Sequence, residues 1–160
     1  MSGKRLKKRP VVIIDCPEEI PCNPCETVCS QGAIIIGQPI TNLPVTDEAK
    51  CTGCGRCIPV CPGLAISLLH YDYSPSEASL TVPYEFLPLP KKGQEVFVVD
   101  EKGRYLGKGN IIRVIPPEKN NRTSLVTFSF SKKLYKKVKY FVLKRENLID
   151  ETRKYEPGKK

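Results

Sequence analysis

Residues 51–62, CTGCGRCIPVCP, set Cys51, Cys54, Cys57 and Cys61 in a C-x2-C-x2-C-x3-C-P run. Three thiolates on one tight loop can cap three irons of a cubane cluster, while the fourth points away on the helix that follows and reaches a different cluster. The spacing therefore calls for a second set of ligands elsewhere in the chain.

Cys16, Cys22, Cys25 and Cys29 supply it in CPEEIPCNPCETVC, a C-x5-C-x2-C-x3-C run, and the two runs together use all eight cysteines. The halves also match beyond the last ligand, where CSQGAIII after Cys29 parallels CPGLAISLL after Cys61, each closing in a short apolar run of strand character. The chain thus contains an internal duplication.

Over about residues 11–70 the sequence resembles the two-cluster bacterial ferredoxins, in which each motif lends its last cysteine to its neighbour's cluster. The resemblance implies two 4Fe-4S clusters, one held by Cys16, Cys22, Cys25 and Cys61 and the other by Cys29, Cys51, Cys54 and Cys57. The first motif departs in its longer first gap, where Pro17, Pro21 and Pro24 stiffen the chain and a bulged loop is expected. Ser30 stands where Pro62 follows the fourth cysteine of the second motif. Neither departure removes a ligand. Structural zinc favours two separated ligand pairs, which these triplets fit poorly.

The basic start KRLKKRP leads only into the short apolar run Val11 to Ile14, which is not a secretory h-region, so disulfides are not expected and a reducing cytoplasm is. No apolar stretch approaches the ~18 residues of a membrane span, so no direct membrane insertion is expected.

A chain of 160 residues exceeds what two clusters require. The expected division is a basic arm (1–10), a two-cluster domain (11–82), a proline-rich linker (83–93), a small β-rich domain (94–150) and a charged tail (151–160). Pro83, Pro88, Pro90 and Gly93 mark the linker. Charge divides along the same lines. Residues 1–10 carry five basic groups, residues 11–90 two basic and nine acidic, and residues 91–160 nineteen basic and eight acidic, for a net +9. Each oxidised cubane with four thiolates would add about two negative charges to the acidic part. Such a dipole can orient docking.

Val11 to Ile14 and Ala33 to Ile36 read as strands, with short helical turns after Cys25 and Cys57. A core this small needs ligation to hold it closed. Beyond the linker, EVFVVD (95–100), YLGKGNIIRVI (105–115), SLVTFSFS (124–131) and KYFVLKR (139–145) read as strands, with Gly107 and Gly109 as bend points. In SKKLYKKV, Leu134 and Val138 suit one helical turn capped by Ser131, with a strand as the alternative. The fold class is therefore α+β, a ferredoxin-like two-cluster domain followed by a small β-rich, barrel-like domain.

KKLYKKVK, with Tyr135 and Tyr140 among its lysines, resembles a nucleic-acid surface in composition, but no recognition motif accompanies it, and a solvated face or an acidic partner explains it equally. One His, one Met and no Trp beside abundant Lys and Glu point to a thermophilic source. His70 reads as an edge residue, and the pairs Glu18-Glu19 and Asp47-Glu48 as solubility or docking groups. GRYLGKGN lacks the strand, G-x-G-x-x-G and helix of a dinucleotide site. No catalytic residue is expected.

The layout also resembles the iron-sulfur small subunits of heteromeric FAD-dependent dehydrogenases acting on glycerol 3-phosphate, proline or other amino acids. That resemblance implies a larger flavoprotein partner carrying FAD or FMN, with this chain as a non-catalytic electron-transfer subunit. The competing readings are a freely diffusing ferredoxin serving several reductases and a nucleic-acid-binding protein with structural or sensing clusters.

Overall fold

A computed structural model of the protein describes residues 9–120, 122–144 and 146. The tail 151–160, all of the basic arm but Arg9 and Pro10, and Arg145 of the expected strand KYFVLKR lie outside the described residues.

The strands are β1 (Val11–Ile14), β2 (Ile34–Ile35), β3 (Val45–Thr46), β4 (Ile66–His70), β5 (Glu77–Tyr84), β6 (Glu95–Val99), β7 (Tyr105–Ile115), β8 (Ser124–Ser131) and β9 (Tyr140–Val142). The α-helix α1 (Pro24–Thr27) is a single turn opened by Pro24, where the missing N–H has no intrahelical partner to lose. Seven strands form one sheet in the order β1-β4-β5-β8-β7-β6-β9, and β2 pairs with β3 separately. Every pairing is antiparallel.

Strands β7 and β8 coincide with the runs read from sequence, and β1 likewise. Lys132–Leu134 forms a 3-10 turn after Ser131, whose side chain makes no cap bond, and Val138 N–H returns to Leu134 O at 3.0 Å. After Cys57 the chain makes turns rather than a helix. The register of β6 on β7 shifts between Val98 and Val99, opposite Gly107 and Tyr105, which is where a bend was expected.

The expected boundary at residue 82 falls inside β5. Val82, Pro83 and Tyr84 pair with Val126, Leu125 and Ser124 of β8, so the first two residues of the proline-rich segment are strand. Proline is tolerated there because the pairing of β4 with β5 ends at Thr81, leaving no ladder on that side for an N–H to join. The Pro83 carbonyl accepts a hydrogen bond from the Tyr140 hydroxyl at 2.8 Å.

Side chains alternate across a strand, and β1 uses both faces. Val11 joins a core with Leu69, Leu80, Val98, Phe128, Phe130 and Phe141, whereas Val12 joins a second core with Ile34, Ile36, Ile58, Ile66 and the thiols of Cys25, Cys51 and Cys57. The cysteine-bearing loops therefore pack on one face of the sheet and the aromatic core fills the other. Strand β8 is closed on both faces over most of its length. Ser124 and Ser129 are buried with the phenylalanines, and the Ser129 hydroxyl donates to Glu77 Oε1 at 3.1 Å.

Candidate metal centres

The duplication is closed by strand pairing between the halves. Strand β1, which leads into the first motif, pairs with β4, which leaves the second; β2, which leaves the first, pairs with β3, which leads into the second. One constant residue offset relates Asp15 to Asp47, Cys22 to Cys54, Cys25 to Cys57, Cys29 to Cys61 and Ala33 to Ala65. The hydrogen bonds repeat with it. Asp15 N–H bonds Ala65 O at 2.9 Å and Asp47 N–H bonds Ala33 O at 2.8 Å. Gly32 N–H returns to Cys29 O at 2.9 Å and Leu64 N–H to Cys61 O at 3.2 Å, so the exchange of Ser30 for Pro62 leaves the turn unchanged.

The same offset sets Glu19 against Cys51, so the longer first gap is not an insertion. The stretch from Asp15 to Cys22 is as long as that from Asp47 to Cys54, and the first thiol has moved to an earlier position on a loop of equal length. The loop expected to bulge carries no extra residue.

Two cavities lie at these loops, each with about 390 Å³ of empty space, part of it open to solvent. Cys16, Cys22, Cys25 and Cys61 line one, and Cys29, Cys51, Cys54 and Cys57 line the other. Equivalent apolar residues wall them in exchange. Val12, Ile34 and Leu68 flank the second set, while their counterparts Pro44, Ile66 and Ile36 flank the first. All eight cysteines are thiols, with Cys25, Cys51 and Cys57 buried and Cys54 exposed.

The electrostatics follow the same grouping. Burial raises the Cys25 thiol, and the nearby Cys61 and Cys22 add to the shift. Burial pushes Cys57 up to about 12, with Cys54, Cys51 and Cys29 adding. At Cys29 burial also raises the thiol, but the N–H groups of Ala33, Gln31, Ile34 and Gly32 outweigh it and lower the thiol below its ordinary value. Ala33 N–H donates to Cys29 Sγ at 3.2 Å and Ala65 N–H to Cys61 Sγ at 3.4 Å, the N–H···S contact that tunes iron-sulfur thiolates.

Among the described residues no three His, Cys, Asp or Glu side chains converge as a ligand group for one ion. A tetrahedral zinc at about 2.3 Å from each sulfur would draw its thiolates within about 4 Å of one another. Four thiols spread around each apolar-walled cavity, one of each set offered a backbone N–H group, instead suit an iron-sulfur cluster.

Several groups not singled out by spacing hold these loops. Glu26 Oε1 accepts the N–H groups of Ile36 at 3.0 Å and Gly37 at 3.3 Å, pinning α1 to β2. Asp47 Oδ1 accepts Ala49 N–H at 2.8 Å and caps the turn before Cys51. Gly53 has φ +72°, and an added Cβ would lie 2.5 Å from Pro10 O, so the residue just before β1 lies directly against this loop. Arg9 Nη2 donates to Ala49 O at 3.4 Å beside it. The acid before a cysteine run is visible in sequence, but its partner is not. His70 ends β4 edge-on to Tyr73, away from both cavities. In the lysine run, Lys132 pairs with Asp72 and Lys139 with Asp15, each at 2.6 Å, and Lys132 lies 4.8 Å over the Tyr71 ring. Part of that basic patch is therefore answered within the chain.

Comparison with known proteins bears on this region. Residues 16–72 match the family described as the LdpA Fe-S cluster-binding domain. Residues 16–72 form an iron-sulfur cluster-binding domain. The chain is 42% identical over 45 residues to one component of the Na(+)-translocating ferredoxin:NAD(+) oxidoreductase complex of Acetobacterium woodii, a match covering 28% of this chain and 13% of that protein. It is 41% identical over 49 residues to one component of the ion-translocating oxidoreductase complex of Methanosarcina acetivorans, covering 31% of this chain and 17% of that protein. The chain thus spans less than a fifth of the curated relatives it matches. No solved structure matches. No helix among the described residues is long and apolar enough to cross a membrane.

Proposed function

We infer that this chain is an electron-transfer iron-sulfur subunit carrying two 4Fe-4S clusters within a multi-subunit oxidoreductase. The observation that carries the reading is the pair of cavities, each rimmed by three cysteines of one motif and the last cysteine of the other. Cys16, Cys22, Cys25 and Cys61 would hold one cluster and Cys29, Cys51, Cys54 and Cys57 the other. Bound there, the clusters supply one-electron chemistry that no amino-acid side chain of this set offers. The chain's own residues exclude water with Val12, Ile34, Ile36 and Ile66, present N–H groups to sulfur, and fix the spacing of the two sites by pairing β1 with β4 and β2 with β3.

The relatives' names favour a subunit over a freely diffusing carrier, since both are subunits of oxidoreductase complexes. The partner is a flavoprotein dehydrogenase, whose flavin would split electron pairs into the single electrons that clusters carry. Anaerobic capture of the chain from its host, with iron, sulfide and flavin measured in what accompanies it, tests this. A stoichiometric flavoprotein is expected; a lone iron-loaded chain would contradict the subunit reading.

A further inference from the structure

The duplication that makes the two sites alike in backbone makes them unlike in charge. Glu18 lines the cavity of Cys16, Cys22, Cys25 and Cys61, and its counterpart in the second motif is Lys50. Arg56 lines the cavity of Cys29, Cys51, Cys54 and Cys57, and its counterpart in the first motif is Pro24. From Asp15 to Cys29 the chain carries four acidic groups and no basic one, whereas from Asp47 to Cys61 it carries two of each. Arg9 lies against the second loop through Ala49 O. Among the described residues, the ion pairs do not remove the contrast. Lys139 answers only Asp15 of the first loop, and Lys50 and Asp47, 3.7 Å apart, offset each other in the second. The N–H···S contact is also shorter at the second cavity, 3.2 Å at Cys29 against 3.4 Å at Cys61.

Adding an electron adds negative charge, so a nearby cation and a shorter N–H···S bond favour it, and a nearby carboxylate opposes it. We propose that Arg56 and Glu18 set the order in which the two centres accept electrons, so that the site of Cys29, Cys51, Cys54 and Cys57 is reduced at the higher potential. Resting on the two-cluster reading above, this gives the molecule a direction. With both clusters bound, a low-potential one-electron donor that reduced the Glu18-side site would itself be oxidised, and the electron would pass to the Arg56-side site, leaving the first oxidised and the second reduced, with no bond broken and no proton moved.

The test is an anaerobic potentiometric titration of the full, iron-loaded chain with dithionite, followed by electron paramagnetic resonance, after iron and sulfide have been counted. Two one-electron steps are expected. Arg56→Gln should lower the higher step and leave the lower one in place, Arg56→Lys should restore it, and Glu18→Gln should raise the lower step alone. Added salt should narrow the gap, because both side chains are exposed and screened. Coincident steps, or an Arg56→Gln change confined to the lower step or absent from both, would overturn the order while leaving two clusters intact. An iron count below two clusters would overturn the reading beneath it as well.

Discussion

The cysteine-bearing loops and the aromatic side of the sheet are held together by different means. The loops contain one four-residue helix and a pair of two-residue strands, and their core is completed by the thiols of Cys25, Cys51 and Cys57. The other side has strands of eight to eleven residues and fully buries Phe128, Phe130 and Phe141. The first region is expected to depend on ligation for closure and the second on apolar burial, with the shared strands β1 and β4 joining the two.

Removing iron with a chelator should have the largest effect. Hydrogen exchange is expected to show residues 16–65 losing protection while β5 to β8 keep theirs, and simultaneous loss in both regions would break the comparison. Phe128→Ala attacks the other side. Phe128 is fully buried, with its ring 5.0 Å from that of Phe141, so the truncation should cost about 3–5 kcal/mol, read as a lower melting temperature of the strands with the cluster absorbance unchanged at low temperature.

A smaller effect is expected at Tyr140. Burial raises its phenol above the ordinary value of 10.0, with Tyr84 and Glu85 adding to the shift. A folded-state value above the unfolded one means that the protonated phenol's contribution is complete below about pH 10 and is lost as pH climbs toward the folded value. Tyr140→Phe should therefore cost about 1 kcal/mol at neutral pH, through the hydrogen bond to Pro83 O, and less at alkaline pH, as denaturation across that range would show. The smallest change is at Leu64, which has φ +53° where its counterpart Gly32 has +56°. Leu64 is 44% exposed, so little packing is lost on replacement, and Leu64→Gly should stabilise the loop by less than about 1 kcal/mol in thermal melts.

Local pattern carried much of this fold. The alternation of Val126, Phe128 and Phe130 delimits β8, and the grouping of thiols around each cavity is the one that the resemblance to two-cluster ferredoxins implies. Pairings between distant strands were not legible. That Pro83 could end a strand depends on β4 stopping at Thr81, a register that no local property of residues 81–93 encodes. The same holds for Glu26, whose acid is visible in the sequence while the N–H groups of Ile36 and Gly37 it receives are brought to it only by the turn after Cys29. The equal loop lengths behind the displaced Cys16 emerge only when the repeated Asp15 and Asp47 bonds anchor the two motifs to each other.

The exchange of fourth ligands is tested most directly by iron content in Cys16→Ser, Cys61→Ser and the variant carrying both. If Cys16 and Cys61 hold one cluster, the losses do not add: from about eight irons in the unaltered chain, all three variants should retain about four. A double variant with almost no iron would mean that the two cysteines serve different clusters, and the exchanged-ligand arrangement would fall.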